Sequence, residues 1–376
     1  MRGLIGTMLV ALAGCSPAPA EPLTQGPQRP IFAVQPGAFK RPMALAFLPD
    51  GRLIVGQADG KLVLRKSDGS VSPLAGTPPA SMIRDIAVMP GAGGTSIIYF
   101  AYDEPKKAGS WLAVARGVMG SAGLGKVQTL WRGASQRLAR SLAGAIAVTL
   151  DQKTLFVSGA SERWGVAGPH ADLRPPKVPG KKRSILSLAT IFRIALPAPG
   201  PSGLLALGAV RATTVSTGHR NPLGLGLAAD GRLWEGEMGP KGGDEFNLIL
   251  KGRDYGWPYV SNGDNYDDTV IPDHKPGDGY EPPKVFWTPS VSPAGFLIYT
   301  GALFPEWRGS AFMGALSGEA LVRVTIRGDT AAKADQWPMH ARIRDVAQAR
   351  DGSIWLIEDQ ALGSQGRLIR LAPAGR

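Results

Sequence analysis

The chain has a single cysteine in 376 residues, at position 15. A disulfide framework and a Cys-rich metal site are thereby excluded. Charge is sparse too: 19% of residues are Asp, Glu, Lys or Arg, and 7% are aromatic. The formal net charge of +12 attracts anionic partners in general. Apart from Lys181-Lys182-Arg183, however, the basic residues stand singly, with no aromatic-interleaved basic stripe, so no nucleic-acid partner is expected. The apolar run after Arg2 is too short for the ~20 residues that a membrane-spanning helix needs.

That short run is informative in another way. The opening MRGLIGTMLVALAGC has one positive charge, an apolar stretch and then Leu12-Ala13-Gly14-Cys15, the layout of an export signal. The last four residues resemble a bacterial lipobox, which implies lipidation of Cys15. The expected organisation is a lipoprotein signal peptide at 1–14, a tether and N-terminal segment at 15–40, and a folded domain at 41–376. The expected location is the bacterial envelope, at the outer membrane facing the periplasm, with membrane contact only through the lipid.

What the chain has in plenty is turn chemistry: 50 Gly and 32 Pro beside 44% hydrophobic residues. This suits many short strands joined by tight turns. One pattern recurs, an apolar stretch, a turn built on Asp-Gly, and a second apolar stretch. It is seen in MALAFLPDGRLIVG ending at Gly56, LGLAADGRLWEG ending at Gly236 and VAQARDGSIWLIED ending at Asp359, and, with Asp-Gln at the turn, in AIAVTLDQKTLFVSG ending at Gly159. Each reads as a β-hairpin with the positive φ angles of a two-residue turn. Weaker copies lie at IRDIAVMPGAGGTSIIYFAY and GFLIYTGALFPEWRGSAFMGAL. Six units of about 60 residues predict an all-β chain, a six-bladed β-propeller of four antiparallel strands per blade. A β-sandwich shares the regular strand spacing. Residues 163–183 and 256–283 read as loop insertions, where ligand contacts concentrate.

The stretch STGHRNPLGLGLAADGRLWEGEMGPKGGDEFNLILKGRDYGWPYV, residues 216–260, is the most particular. Its Gly239-Pro240 and Gly242-Gly243-Asp244-Glu245 form a turn bearing carbonyls and carboxylates, the hard oxygens that Ca²⁺ prefers. With W-x-P-S-V-S-P-A-G at 287–295 and RIRDVAQARDGSIWLIED from Arg342, it resembles the soluble quinoprotein glucose, aldose-sugar and sorbosone dehydrogenases. The resemblance implies a propeller that binds pyrroloquinoline quinone and Ca²⁺ on one face and oxidises a small sugar or alcohol. It implies cofactor contacts from Arg220, Asn221, Arg342 and Arg344, and Ca²⁺ held by the main-chain oxygens of Gly239 and Pro240. On a strand Arg342 and Arg344, two residues apart, point to one face. His219 reads as structural, donating to a neighbouring carbonyl.

The pattern also breaks. The histidine that serves the family as base is replaced by Ser141, and other cofactor-side positions are Ala80, Lys182-Arg183 with Ala189-Thr190, Ser317, and Met238 within Glu237-Met238-Gly239. Two readings follow. Either the chain is a divergent oxidoreductase, with a base such as His170 or Glu162 on the insertion, or it is a non-catalytic propeller lipoprotein that binds or scaffolds.

Overall fold

The computed structural model describes residues 30–107, 109–120, 123–136, 143–159 and 190–374. Six four-stranded antiparallel sheets follow one another along the chain. Blade 1 comprises Pro42–Phe47, Leu53–Gln57, Leu62–Arg65 and Val71–Pro73. Blade 2 comprises Met82–Pro90, Ser96–Pro105, Ser110–Gly120 and Gly123–Gln136. Blade 3 comprises Ile146–Val148, Thr154–Gly159, Thr190–Ala195 and Arg211–Ser216. Blade 4 comprises Pro222–Leu227, Leu233–Glu237, Asp244–Leu248 and Val285–Trp287. Blade 5 comprises Pro293–Ile298, Ala311–Ala315, Ala320–Arg327 and Thr330–Pro338. Blade 6 takes Ile343–Gln348, Ile354–Glu358 and Leu368–Pro373, and its fourth strand is Pro30–Gln35.

That last strand pairs antiparallel with the end of the chain, from Pro30 opposite Pro373 to Gln35 opposite Leu368. It falls inside the stretch 15–40 expected to be tether and N-terminal segment, so the propeller starts earlier than residue 41. Ring closure is the physical reason, since an open propeller would leave two sheets unpacked. Among the described residues no helix is long and apolar enough to cross a membrane, and Cys15 lies outside them.

The six sequence repeats are the two innermost strands of the six blades, one repeat per blade. Their turns differ from the expectation in one respect. In blades 1 and 4 the chain closes a three-residue loop: the Gly51 amide donates to the Leu48 carbonyl and the Gly231 amide to the Ala228 carbonyl. Only the glycine takes a positive φ, 87° at Gly51 and 85° at Gly231, which is a type I turn followed by one left-handed residue. The aspartate works through its side chain instead. Asp50, Asp230 and Asp351 each accept the amide two residues on, at 3.0, 3.0 and 2.9 Å, and so pre-form the turn.

Each pair of neighbouring blades buries one apolar cluster. Leu53 and Val55 face blade 6, packing with Trp355 and Ile357, while Ile54 between them faces blade 2, packing with Ile83 and Phe100. A strand buried on both faces needs a continuous apolar run rather than alternation, which is why Leu53–Gln57 is buried throughout. Carboxylates stitch the blades at the hub. Asp85 accepts the Ile146 amide of blade 3 at 2.7 Å, and Asp345 accepts the Leu45 amide of blade 1 at 2.7 Å.

Burial pushes the Asp85 carboxyl up to about 7, despite the amides of Ile146 and Ile86 that favour its anion. The native state therefore holds a proton that the unfolded chain releases near pH 4. Stability from this group is complete below about pH 4 and is lost as pH rises toward about 7. In urea unfolding at stepped pH, the stability of the native chain minus that of Asp85→Asn is expected to fall over this window. A difference that rises with pH contradicts the assignment.

Candidate functional site

All six innermost strands run in the same direction around the hub, so the residues where they begin share one face, together with those where the second strands end. Arg220 and Asn221 immediately precede the innermost strand of blade 4, and Gly239-Pro240 follow its second strand. Arg342 and Arg344 open blade 6, and Asp359 follows its second strand. The topology brings every described site residue expected from sequence to this face. Ser141, His170 and Glu162 lie outside the described residues.

Behind the face runs a central cavity of about 260 Å³ walled by the innermost strands of all six blades, with Arg84, Asp85, Arg344 and Asp345 among its lining residues. Arg342 Nε and Arg344 Nη2 converge on one oxygen, Asp359 Oδ2, at 3.2 and 2.8 Å. The expected common orientation of this pair is thus observed. Arg344 is buried, and its Nε and Nη1 have no hydrogen-bond partner among the described residues. Burial, first of all, holds its guanidinium below the ordinary range. Such an arrangement is suited to a carboxylate, which a guanidinium fork binds in bidentate fashion.

Arg220 is held differently. Its Nη1 donates to the carbonyls of Met238 and Gly239, its Nη2 lies 3.2 Å from the Tyr266 hydroxyl, and its guanidinium sits over the rings of Trp257 and Tyr266 at 5.2 and 5.8 Å. The Gly239 oxygen expected to hold Ca²⁺ therefore already serves Arg220. Gly239 itself is fixed by its amide, which donates to Asp244 Oδ1 at 2.9 Å. Asp244 Oδ2 in turn accepts the amides of Val291 and Ser292, both at 2.6 Å, tying the turn to blade 5.

Beneath Arg220 lies a residue whose role the sequence did not disclose. Glu237 is buried, and its Oε2 accepts the backbone amides of Arg220 at 2.5 Å and Asn221 at 3.1 Å. Its Oε1 meets His219 Nδ1 at 3.0 Å and Asn247 Nδ2 at 3.4 Å. Asn247 Nδ2 also reaches Glu235 and Glu245, each at 3.0 Å. One amide serves three carboxylates, so burial followed by repulsion from Glu237 pushes the Glu235 and Glu245 carboxyls well above the usual range. His219 is structural, as expected, yet its partners are side chains rather than a carbonyl: Nε2 lies 2.8 Å from Ser216 Oγ, and the ring stacks on Tyr255 at 4.6 Å. Ligand atoms of His219, Glu235 and Glu237 lie within 4.8 Å of one another, close enough for a cation, but both imidazole nitrogens are spent on these partners.

The departures from the pattern are visible where described. Ser317 Oγ lies 2.7 Å from Ser292 Oγ, a short polar contact without charge. Met238 packs among Ala294 and Leu316.

Known proteins share this architecture. The aldose sugar dehydrogenase YliI of Escherichia coli is 29% identical over 351 residues, covering 88% of this chain and 90% of that one. The crystal structure of the soluble aldose sugar dehydrogenase of Escherichia coli in the apo form superposes with a TM-score of 0.75 at 25% identity, over 92% of this chain and all of that one. The PQQ-bound aldose sugar dehydrogenase of Streptomyces coelicolor gives a TM-score of 0.66 at 23% identity, over 92% of this chain and 99% of that one. The family model described as Glucose / Sorbosone dehydrogenase matches residues 39–370, and the chain belongs to that family.

Proposed function

We propose that this protein binds pyrroloquinoline quinone on the cationic face and oxidises a sugar or alcohol with reduced proton-transfer machinery. The observation that carries the reading is Arg344, buried and with Nε and Nη1 lacking partners among the described residues. Leaving charged donors dry is costly unless an anion meets them, and a planar tricarboxylate meets them well. The solved relative from Streptomyces coelicolor is PQQ-bound. When bound, the quinone supplies the acceptor for the hydride that the substrate's alcohol carbon gives up.

This chain's residues have separate tasks. Arg342 and Arg344 would hold carboxylates, with Asp359 fixing both guanidinium groups. Arg220 and Asn221, pinned by Glu237 through their amides, would border the ring. Ca²⁺ at the Gly239 and Pro240 carbonyls fits on a condition. Arg220 Nη1 donates to the Gly239 oxygen, so a cation there must share that oxygen or release the guanidinium toward the anionic ligand.

The base is the weak point. No histidine lines the cavity among the described residues, and Ser141 stands where the family pattern has histidine. A serine hydroxyl does not take a proton at neutral pH without a base of its own, which forfeits help worth about 10²–10⁴-fold. This same observation favours a second reading, a propeller that binds the ligand without turnover.

The test is equilibrium binding of pyrroloquinoline quinone with and without Ca²⁺, followed by dye-linked aldose oxidation. The expected result is binding that Ca²⁺ tightens and slow turnover. Turnover is expected to rise about tenfold in Ser141→His, a part of the 10²–10⁴-fold that a positioned general base contributes. Absence of binding overturns the proposal. Binding with no turnover in either form selects the second reading.

A further inference from the structure

The opening of blade 6 has a twin. After Met82, blade 2 runs Ile83-Arg84-Asp85-Ile86, and blade 6 begins Ile343-Arg344-Asp345-Val346; the two stretches make corresponding contacts. In both the strand pairing shifts at the arginine, between Ile83 and Asp85 and between Ile343 and Asp345. In both the aspartate accepts the next residue's amide, at 2.7 Å from Ile86 and 2.8 Å from Val346, and one amide of the following blade. In both the arginine pairs with a carboxylate at the end of the second strand. Arg84 Nε and Nη2 reach Asp103 at 3.0 and 2.6 Å, as Arg344 Nη2 reaches Asp359 at 2.8 Å.

The twin shares the unmet donors as well. Arg84 and Arg344 are 9% and 7% exposed and line the same central cavity. Arg84 Nη1, like Arg344 Nε and Nη1, has no hydrogen-bond partner among the described residues. The acidic groups lining the cavity, Asp85 and Asp345, spend both carboxyl oxygens on amides, and neither satisfies these donors. The two guanidinium groups are close enough that repulsion from Arg342 and Arg84 adds to the burial that already disfavours the Arg344 cation. An anion between them relieves both costs.

We propose that Arg84 and Arg344 are the two jaws of one carboxylate-binding site at the hub, so that the chain grips its anionic ligand from blade 2 as well as from blade 6. This rests on the cationic face being the ligand site and adds to it a residue, Arg84, on the far side of blade 1. The ligand class is a small molecule bearing carboxylates, with the ionised group rather than the ring system providing the recognition.

The experiment titrates full-length protein with pyrroloquinoline quinone, with its trimethyl ester, and with citrate as a tricarboxylate lacking the quinone. It compares the native chain with Arg84→Lys and with the double variant Arg84→Leu/Asp103→Leu, which removes the buried charge pair together and leaves no lone carboxylate. Both variants are expected to bind the acid about 10–100-fold more weakly, as for loss of one charge-assisted contact. They should lose the rise in melting temperature that citrate gives the native chain and bind the ester as it does. Should the variants bind the acid as the native chain does, the inference fails and the proposed function stands. Should the native chain bind no quinone, the proposed function fails. The citrate arm then decides alone: stabilisation that depends on Arg84 supports the jaws, and its absence overturns them.

Discussion

Glu237→Ala is expected to remove about 3 kcal/mol of unfolding free energy, a large fraction of what a domain of this kind possesses. The carboxylate answers four donors: the amides of Arg220 and Asn221, His219 Nδ1 and Asn247 Nδ2. Alanine answers none, and each buried donor left dry costs about 1–3 kcal/mol. Part of the loss is offset, because Glu237 also repels Glu235 and Glu245. Glu237→Gln keeps an oxygen for the two backbone amides and should lose less than half as much. Urea unfolding measures both. A cost below about 1 kcal/mol for the alanine variant would show that the motif stands without its carboxylate.

Arg344→Met is expected to lower the affinity for pyrroloquinoline quinone by about 10²–10³-fold, the usual range for truncating one partner of a buried charge pair. Methionine keeps much of the aliphatic stem in place, and Asp359 retains Arg342 at 3.2 Å, so the fold survives to be tested. Arg342→Met should cost about tenfold, since that side chain is 17% exposed and its charge is already partly hydrated. Equilibrium binding with the melting temperature as a folding control separates the two. Equal affinities in a folded Arg344→Met protein would remove this face as the ligand site.

Repetition made the propeller legible. Six copies of one hairpin pattern marked the two inner strands of every blade, because those strands are largely buried and, in blades 1, 4 and 6, turn on Asp-Gly. The outer strands carry less of that signal: Arg211–Ser216 is mostly exposed and has neither continuous apolar burial nor an Asp-Gly turn. Pro30–Gln35 was hidden for another reason, since its pairing partner lies at the opposite end of the sequence. At the site, Arg220, Arg342 and Arg344 were legible as motif residues. Arg84 was not, though Ile-Arg-Asp stands in the sequence at 83 and again at 343. Comparing the chain with itself, rather than with a family pattern, would have paired them. Glu237 was legible only as a letter within a turn, because its importance lies in four donors drawn from two separate segments, residues 219–221 and Asn247.

The seam in blade 6 sets a clock. Pro30–Gln35 leaves the ribosome well before Leu368–Pro373, with which it pairs residue for residue. At about 5–20 residues per second the first strand waits roughly 20–70 s for its partner. Throughout that interval the ring cannot close, and an unpaired strand edge invites pairing with another chain. The strand Leu368–Pro373 therefore acts as a latch, and the molecule's exposure to misassembly is governed less by how fast its blades form than by how long the latch takes to arrive.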